Sequence, residues 1–244
     1  MFEGFTGQTS NFLWELAFNN ERPWFLEHKA EFERVLNTPF KALAADTAEL
    51  MARRFPSRSF RLHVSRIYRD ARRLFGRGPY KDHMWFTLKD NDILLEGPCF
   101  WFELGAAEYS YGMGFYSATA AQMAAFRRKV DANPARFERL AKAVAKAGFT
   151  VTGEEYARPK GSRGPVIDLW YNRKRLGLEL SRDFGGDALS PELPVLLADA
   201  YGAPAHVRLF HGSLQGRAGQ QTQLTQGGRY GTQGSRTCRY YARL

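Results

Sequence analysis

Between Arg66 and His83 the chain reads RIYRDARRLFGRGPYKDH, which places Arg66, Arg69, Arg72, Arg73, Arg77 and Lys81 in one short segment with Asp70 and Asp82 as its acids. Guanidinium forks match pairs of phosphate or carboxylate oxygens, and an ammonium serves as a point charge for the same ligands. The chemistry expected of such a segment is anion binding. The residues expected to hold the anion are Arg66, Arg69, Arg72 and Lys81, with His83 beside them. Tyr80 and Trp101 are expected to supply aromatic contact, and Asp70 and Trp101 to support the binding groups. Adjacent residues of a strand point to opposite faces, so Asp70 is expected to pair with Arg72, or with a residue elsewhere, rather than with Arg69, and to fix the turn. The turn itself is written by Gly76, Gly78 and Pro79, because proline fixes its own φ and restricts the residue before it.

Other chemistries have less to stand on. Gly76-x-Gly78 precedes a lysine, but its spacing is not Gly-x-x-x-x-Gly-Lys-Ser/Thr and no helix signal follows, so a phosphate loop is rejected. His63, His83, Asp70 and Glu103 are metal-ligand types, yet no pair has helical metal spacing; no metal and no cofactor is expected. Neither cysteine has a neighbouring histidine, and Gly-x-Ser-x-Gly is absent from the sequence, which removes the sequence-local nucleophile signatures. His28 falls on the apolar stripe of a helix and reads as a core residue.

The charge balance supports an anionic partner. The formal charge of +10 is uneven: −4 over 1–51, +8 over 52–83, +1 over 84–214 and +5 over 215–244. A basic band on an otherwise balanced protein suits an anionic small molecule or nucleic acid. Apolar content of 44% and aromatic content of 14% are enough for a sizeable core, which excludes a disordered chain. Cys99 and Cys238 lie far apart in unlike contexts, so no disulfide framework and a reducing compartment are expected. The opening MFEGFTGQTS has no signal-peptide pattern. No apolar run approaches the ~20 residues needed to span a bilayer. The expectation is a soluble, cytoplasmic protein without a membrane partner.

The elements that must position the basic segment follow from periodicity. Ser10 is placed to cap a helix bearing Phe12, Leu13, Leu16 and Ala17 on one face, closed by Asn19 and Asn20. Pro23 opens a second helix with Trp24, Phe25, His28, Phe32 and Val35 in its stripe. Pro39 opens a third, with Phe40, Leu43, Ala44, Thr47, Leu50 and Met51 buried, ending at Pro56. Strands are expected at 62–68, 85–88, 93–95, 99–104 and 109–116, the last interrupted by Gly112 and Gly114. Helices follow over 119–131 and 134–147, with Gly148 beyond them. A loop spans 150–165, one or two strands lie within 168–180, and a last helix starts at Ser190 and Pro191 and ends near Tyr201. The tail from 215 holds six Gln, six Gly and five Arg, too few apolar groups to offset chain entropy, so disorder is expected. The fold class is α+β: one domain over 1–214, with an antiparallel sheet of four to six strands and helices packed against it.

Several of these residues together resemble a known family, the domain of unknown function 2461. Its opening is matched by Asn19–Asn20, Trp24–Phe25, Lys29, Phe32 and Pro39. Its most recognisable motif is matched by Arg69, Asp70, Arg72, Arg77, Pro79, Tyr80, Lys81 and His83. Tyr111–Gly112–Met113–Gly114 resembles its glycine-rich strand end, Arg127 an arginine on the following helix, and Arg158–Pro159–Lys160–Gly161 a later element. The likeness covers roughly 5–214. Arg73 stands where the family usually has Phe, and Phe75 near a usual Lys. The resemblance implies an α+β cytoplasmic protein and no particular activity.

The function expected is binding of a phosphate-bearing or other anionic ligand at residues 66–83. Two alternatives remain: an enzyme acting on a small anionic substrate with His83 or Asp70 as the acid–base group, and an interaction module docking an acidic partner.

Overall fold

The computed structural model describes residues 1–74, 76–90 and 98–203, with Arg73 described by its backbone. The tail over 215–244, Cys238 and the strand expected at 93–95 lie outside the described residues. The chain begins with helix α1 (Gly7–Phe18), α2 (Arg22–Glu27), α3 (Lys29–Phe32), a π-helical turn (Glu33–Asn37) and α4 (Thr38–Arg54). Strands β1 (Phe60–Val64), β2 (His83–Asp90), β3 (Cys99–Gly105) and β4 (Glu108–Gly114) come next. Then follow α5 (Ala120–Ala132), α6 (Pro134–Lys146), β5 (Thr150–Thr152), α7 (Pro165–Tyr171), β6 (Gly177–Asp183) and α8 (Leu193–Gly202). The six strands form one antiparallel sheet in the order β1-β2-β3-β4-β6-β5. This is the α+β architecture expected.

Five local readings are corrected, the first being the loop expected over 150–165, which opens with strand β5 because Thr150–Thr152 pairs with β6. The first helix starts before Ser10: Thr6 precedes it, and the Thr6 N–H donates to Thr9 Oγ1 at 3.2 Å. Pro39 does not open a separate helix. It lies in the first turn of α4, which continues directly from the π-helical turn. The strand over 62–68 is shorter than expected, ending at Val64. The segment 165–171 is helical: Ile167, Trp170 and Tyr171 are buried at helical spacing, and strand structure there is confined to Gly177–Asp183.

Strand alternation gives the sheet two unlike faces. Leu62, Phe86, Leu88, Phe100, Phe102, Leu104, Tyr109, Tyr111, Met113, Leu178 and Leu180 share one face through the cross-strand register. Phe40 of α4 sets its ring 5.9 Å from both Phe86 and Phe102. Tyr201 of α8 lies 5.0 Å from Phe100. Helices α4 and α8 therefore close the apolar face, and burial of these large rings is the main driving force of the domain. The other face carries His63, Trp85, Thr87, Trp101, Glu103, Ser110, Gly112, Glu179 and Ser181, in direct cross-strand succession.

Among the described residues no helix is long and apolar enough to cross a membrane.

Candidate functional site

The basic segment leaves the sheet after β1 and returns at β2. Its two arms pair: Arg69 N–H donates to Pro79 O at 2.7 Å and Lys81 N–H to Ile67 O at 2.8 Å, with Tyr68 opposite Tyr80. Asn20 anchors this excursion from the helical layer. Its amide donates to Tyr80 O and accepts from Tyr80 N–H, each at 2.9 Å, as a neighbouring strand would. The approach is possible because residue 78 is glycine: a Cβ there would sit 2.3 Å from Asn20 Oδ1. Asn19–Asn20 and the Gly-Pro-Tyr turn, far apart in sequence, are thus two halves of one joint.

The expected site residues do not form one set. Tyr80 is a core residue, 2% exposed and stacked on Phe25 at 4.1 Å between ring centroids. Arg69 is turned inward. Its Nε donates to Tyr80 O at 2.6 Å and its Nη2 meets Asp82 Oδ1 at 3.3 Å. Burial pulls its pKa down, and Asp82 opposes that pull. Arg72 donates to both oxygens of Asp70, at 3.0 and 2.8 Å, and Asp70 also accepts the Arg72 N–H. The predicted Asp70–Arg72 pair is present and braces a 3-10 turn at Ala71–Arg73. His83 Nδ1 lies 2.9 Å from Asp82 Oδ1, and this hydrogen bond is the first cause that holds Asp82 well below the usual carboxylate range.

Arg66 and Lys81 are placed differently. The Lys81 ammonium donates to Arg66 O and lies 5.9 Å from the centre of the Trp85 ring. Burial, then the charges of Arg69 and Arg66, lower its pKa to about 8, with Glu103 opposing. His63 is lowered too, first by burial and then by Arg61, Lys89, Lys81 and Arg66. Arg61, His63, Arg66, Lys81 and Lys89 therefore converge along the β1–β2 margin of the polar face. Among the described residues, no carboxylate forms a salt bridge with Arg61, Arg66, Lys81 or Lys89. Arg61 and Lys89 were not expected at the site. They are directly opposite each other in the β1–β2 register, a pairing of like charges that costs stability.

Across the polar face from this margin lie two carboxyls. Glu103 is opposite Trp85 on one side and Ser110 on the other. Burial raises its pKa, Asp82 and Glu108 push the same way, and His83 and Lys81 oppose. Glu179 on β6 is opposite Gly112. It is 8% exposed and pushed up to about 7, by burial first and by the charges of Glu103 and Glu108, against a 3.3 Å hydrogen bond from Ser181. Gly112 is also the cross-strand partner of Trp101 on its other side. A Cβ on Gly112 would meet Trp101 Cζ2 at 2.8 Å, so the indole lies over the glycine. Glu179 escaped the reading of the sequence because one glutamate in a short strand carries no spacing signal. The one available clue was alternation: Gly177, Glu179 and Ser181 against Leu178 and Leu180.

The later elements form a separate cluster. Arg127 of α5 lies 5.6 Å from the Tyr156 ring and 5.9 Å from the Tyr171 ring, and Lys160 lies 4.6 Å from Tyr156. Asp131 accepts from Tyr171 OH and from Arg163 Nε, each at 2.8 Å. Among the described residues no three His, Cys, Asp or Glu side chains group as a metal site.

Comparison with known proteins agrees with the likeness carried by these motifs. The family described as conserved hypothetical protein (DUF2461) matches residues 8–179, and the chain belongs to it. No curated protein matches the chain.

Proposed function

We propose that this DUF2461 member binds a phosphate-bearing or other anionic ligand on the polar face of its sheet, at the β1–β2 margin. The observation that carries the reading is that Arg61, Arg66, Lys81 and Lys89, none of them salt-bridged among the described residues, all act on His63, with Lys81 beside the Trp85 ring. Clustered like charges raise the free energy of the folded protein, and an anion offsets that cost directly. Lys81 and Arg66 are the contacts carried over from the basic segment, and Arg61 and Lys89 join them. Arg69, Arg72, Asp70 and Tyr80 shape the turn that presents Lys81. His83 and Trp101 border the bound ligand. Phosphate titration of the full chain tests this: saturable binding is expected, weakened at least about tenfold by Lys81→Met, as for loss of a charge-assisted hydrogen bond. Binding unaffected by that substitution, in a protein that still folds, would sink the proposal. A polynucleotide ligand is separated by salt, since affinity for a phosphate backbone falls linearly in log–log form with a slope set by the contacts.

A second reading is an enzyme acting on a small anionic substrate, favoured by one observation: Glu179, pushed up to about 7, is poised to give or take a proton near neutrality. In that reading Glu179 replaces His83 and Asp70 as the acid–base group, because His83 is tied to Asp82 and Asp70 to Arg72.

A further inference from the structure

We infer that the ligand of the polar face is a phosphorylated sugar or polyol, its anionic group on Lys81 and Arg66 and its hydroxyls on Glu103, Ser110 and Glu179. The inference rests on the anion site proposed above and adds the chemistry of the rest of the ligand. Away from the cationic margin the face changes character. Trp85, Glu103, Ser110 and Ser181 succeed one another directly across β2, β3, β4 and β6. Trp101, Gly112 and Glu179 form the next such row. Two indoles therefore alternate with two carboxyls and two hydroxyls, over backbone that Gly112 keeps low.

That combination is unusual for a purely structural surface. Trp85, Ser110 and Glu179 are buried, and Glu103 is half-buried. Buried ionisable groups without cationic partners cost stability, and such groups gather at functional sites. Among the described residues neither Glu103 nor Glu179 has a salt bridge. A sugar presents hydroxyls that donate to carboxylates and C–H faces that lie flat on aromatic rings. A nucleobase would stack on an indole and meet one carboxyl through an exocyclic amino group, leaving the other without a donor. A bare phosphate would use Lys81 and leave everything beyond Trp85 unused.

Neighbouring strands are about 4.8 Å apart, so β2 and β6, three steps apart in the sheet, are separated by ~14 Å of backbone, which calls for a ligand longer than a bare phosphate. A hydroxyl donating to Glu179 favours its carboxylate. Glu103 and Glu108 are the charged groups that face Glu179, both acidic, and both hold the proton on it in the free protein. Binding near pH 7 is therefore expected to release a proton.

The test is calorimetric titration of the full chain at pH 7 in two buffers of different ionisation enthalpy, with ribose 5-phosphate, glucose 6-phosphate, propyl phosphate and AMP. The sugar phosphates are expected to bind about tenfold or more tighter than propyl phosphate, the gain of one good hydrogen bond to a charged group. Their binding should release more protons than that of propyl phosphate, whose own phosphate sets the baseline. Glu179→Gln and Glu103→Gln should each lower the ratio of sugar-phosphate to propyl phosphate affinity, whatever they do to the anion contact itself; either variant suffices if the other does not fold. Equal affinity for sugar and alkyl phosphates, both lost in Lys81→Met, overturns the polyol inference and leaves the anion site standing. AMP binding tighter than ribose 5-phosphate transfers the ligand class to nucleotides and overturns it as well. No binding of any phosphate overturns both.

Discussion

Lys81→Met should make this protein more stable at neutral pH while removing its anion binding. Unfolded, Lys81 has its ordinary pKa of 10.5; folded, burial and the neighbouring arginines lower it to about 8. Below about 8 both states are protonated, and the fold carries the whole penalty of a desolvated ammonium among cations. Between about 8 and 10.5 the unfolded chain binds more protons, so stability rises with pH as the penalty is relieved. At about 1.4 kcal/mol per pKa unit the full penalty is roughly 3 kcal/mol, and solvent screening of a group still partly open to water reduces it to ~1–2 kcal/mol. Methionine keeps most of the stem over the Trp85 ring and discards the charge. The Arg66 carbonyl loses its donor, but Arg66 is exposed and water replaces it. Denaturant melts from pH 6 to 10 should show the variant ahead by ~1–2 kcal/mol at pH 7, with the advantage vanishing above about pH 10. Thermally this is a gain of roughly 2–8 °C. Phosphate should raise the melting temperature of the wild type and leave the variant unmoved. A variant less stable than wild type at pH 7, or a difference that does not change with pH, would refute the reasoning and make Lys81 a structural residue of the turn.

Three further outcomes follow from the same geometry. Asn20→Ala removes both 2.9 Å bonds to the Tyr80 backbone; a loss of about 2–3 kcal/mol in a denaturant melt is expected, since Tyr80 N–H is then left without its partner, and a loss under ~0.5 kcal/mol would show that the joint is held otherwise. Glu179 has a folded pKa raised to about 7 from 4.5, so its proton is bound more tightly in the fold: stability falls as pH rises from about 4.5 to 7, and Glu179→Gln should flatten that window in melts across it and be the more stable protein at pH 8. Truncation after Leu214 should leave the melting temperature nearly unchanged, because 215–244 is acid-free and poor in aliphatic residues; a large drop would show that the tail packs on the domain.

The sequence by itself determined the α+β class, most of the helices and strands, and the family. Those are short-range properties: periodicity of apolar residues in α4, α5 and α6, alternation in β2 and β3, and fixed spacing in the motif at 69–83 are all written within a few residues of one another. The Asp70–Arg72 pair was legible for the same reason, being two residues apart. The fate of the other basic residues was not. Whether an arginine faces solvent or turns inward depends on what the returning chain offers it, and Arg69 was claimed by Tyr80 O and Asp82 from the far arm of the excursion. Tyr80 looked like a surface aromatic next to Lys81, and became core because α2 places Phe25 against it. The acidic end of the polar face was beyond the sequence altogether. Glu103 and Glu179 are 76 positions apart, and only the order β3-β4-β6, with β6 inserted between β4 and β5, puts them across a single strand from one another. Local pattern decides what each segment becomes; strand order decides which side chains share a face, and it is set by packing energies summed over the whole chain.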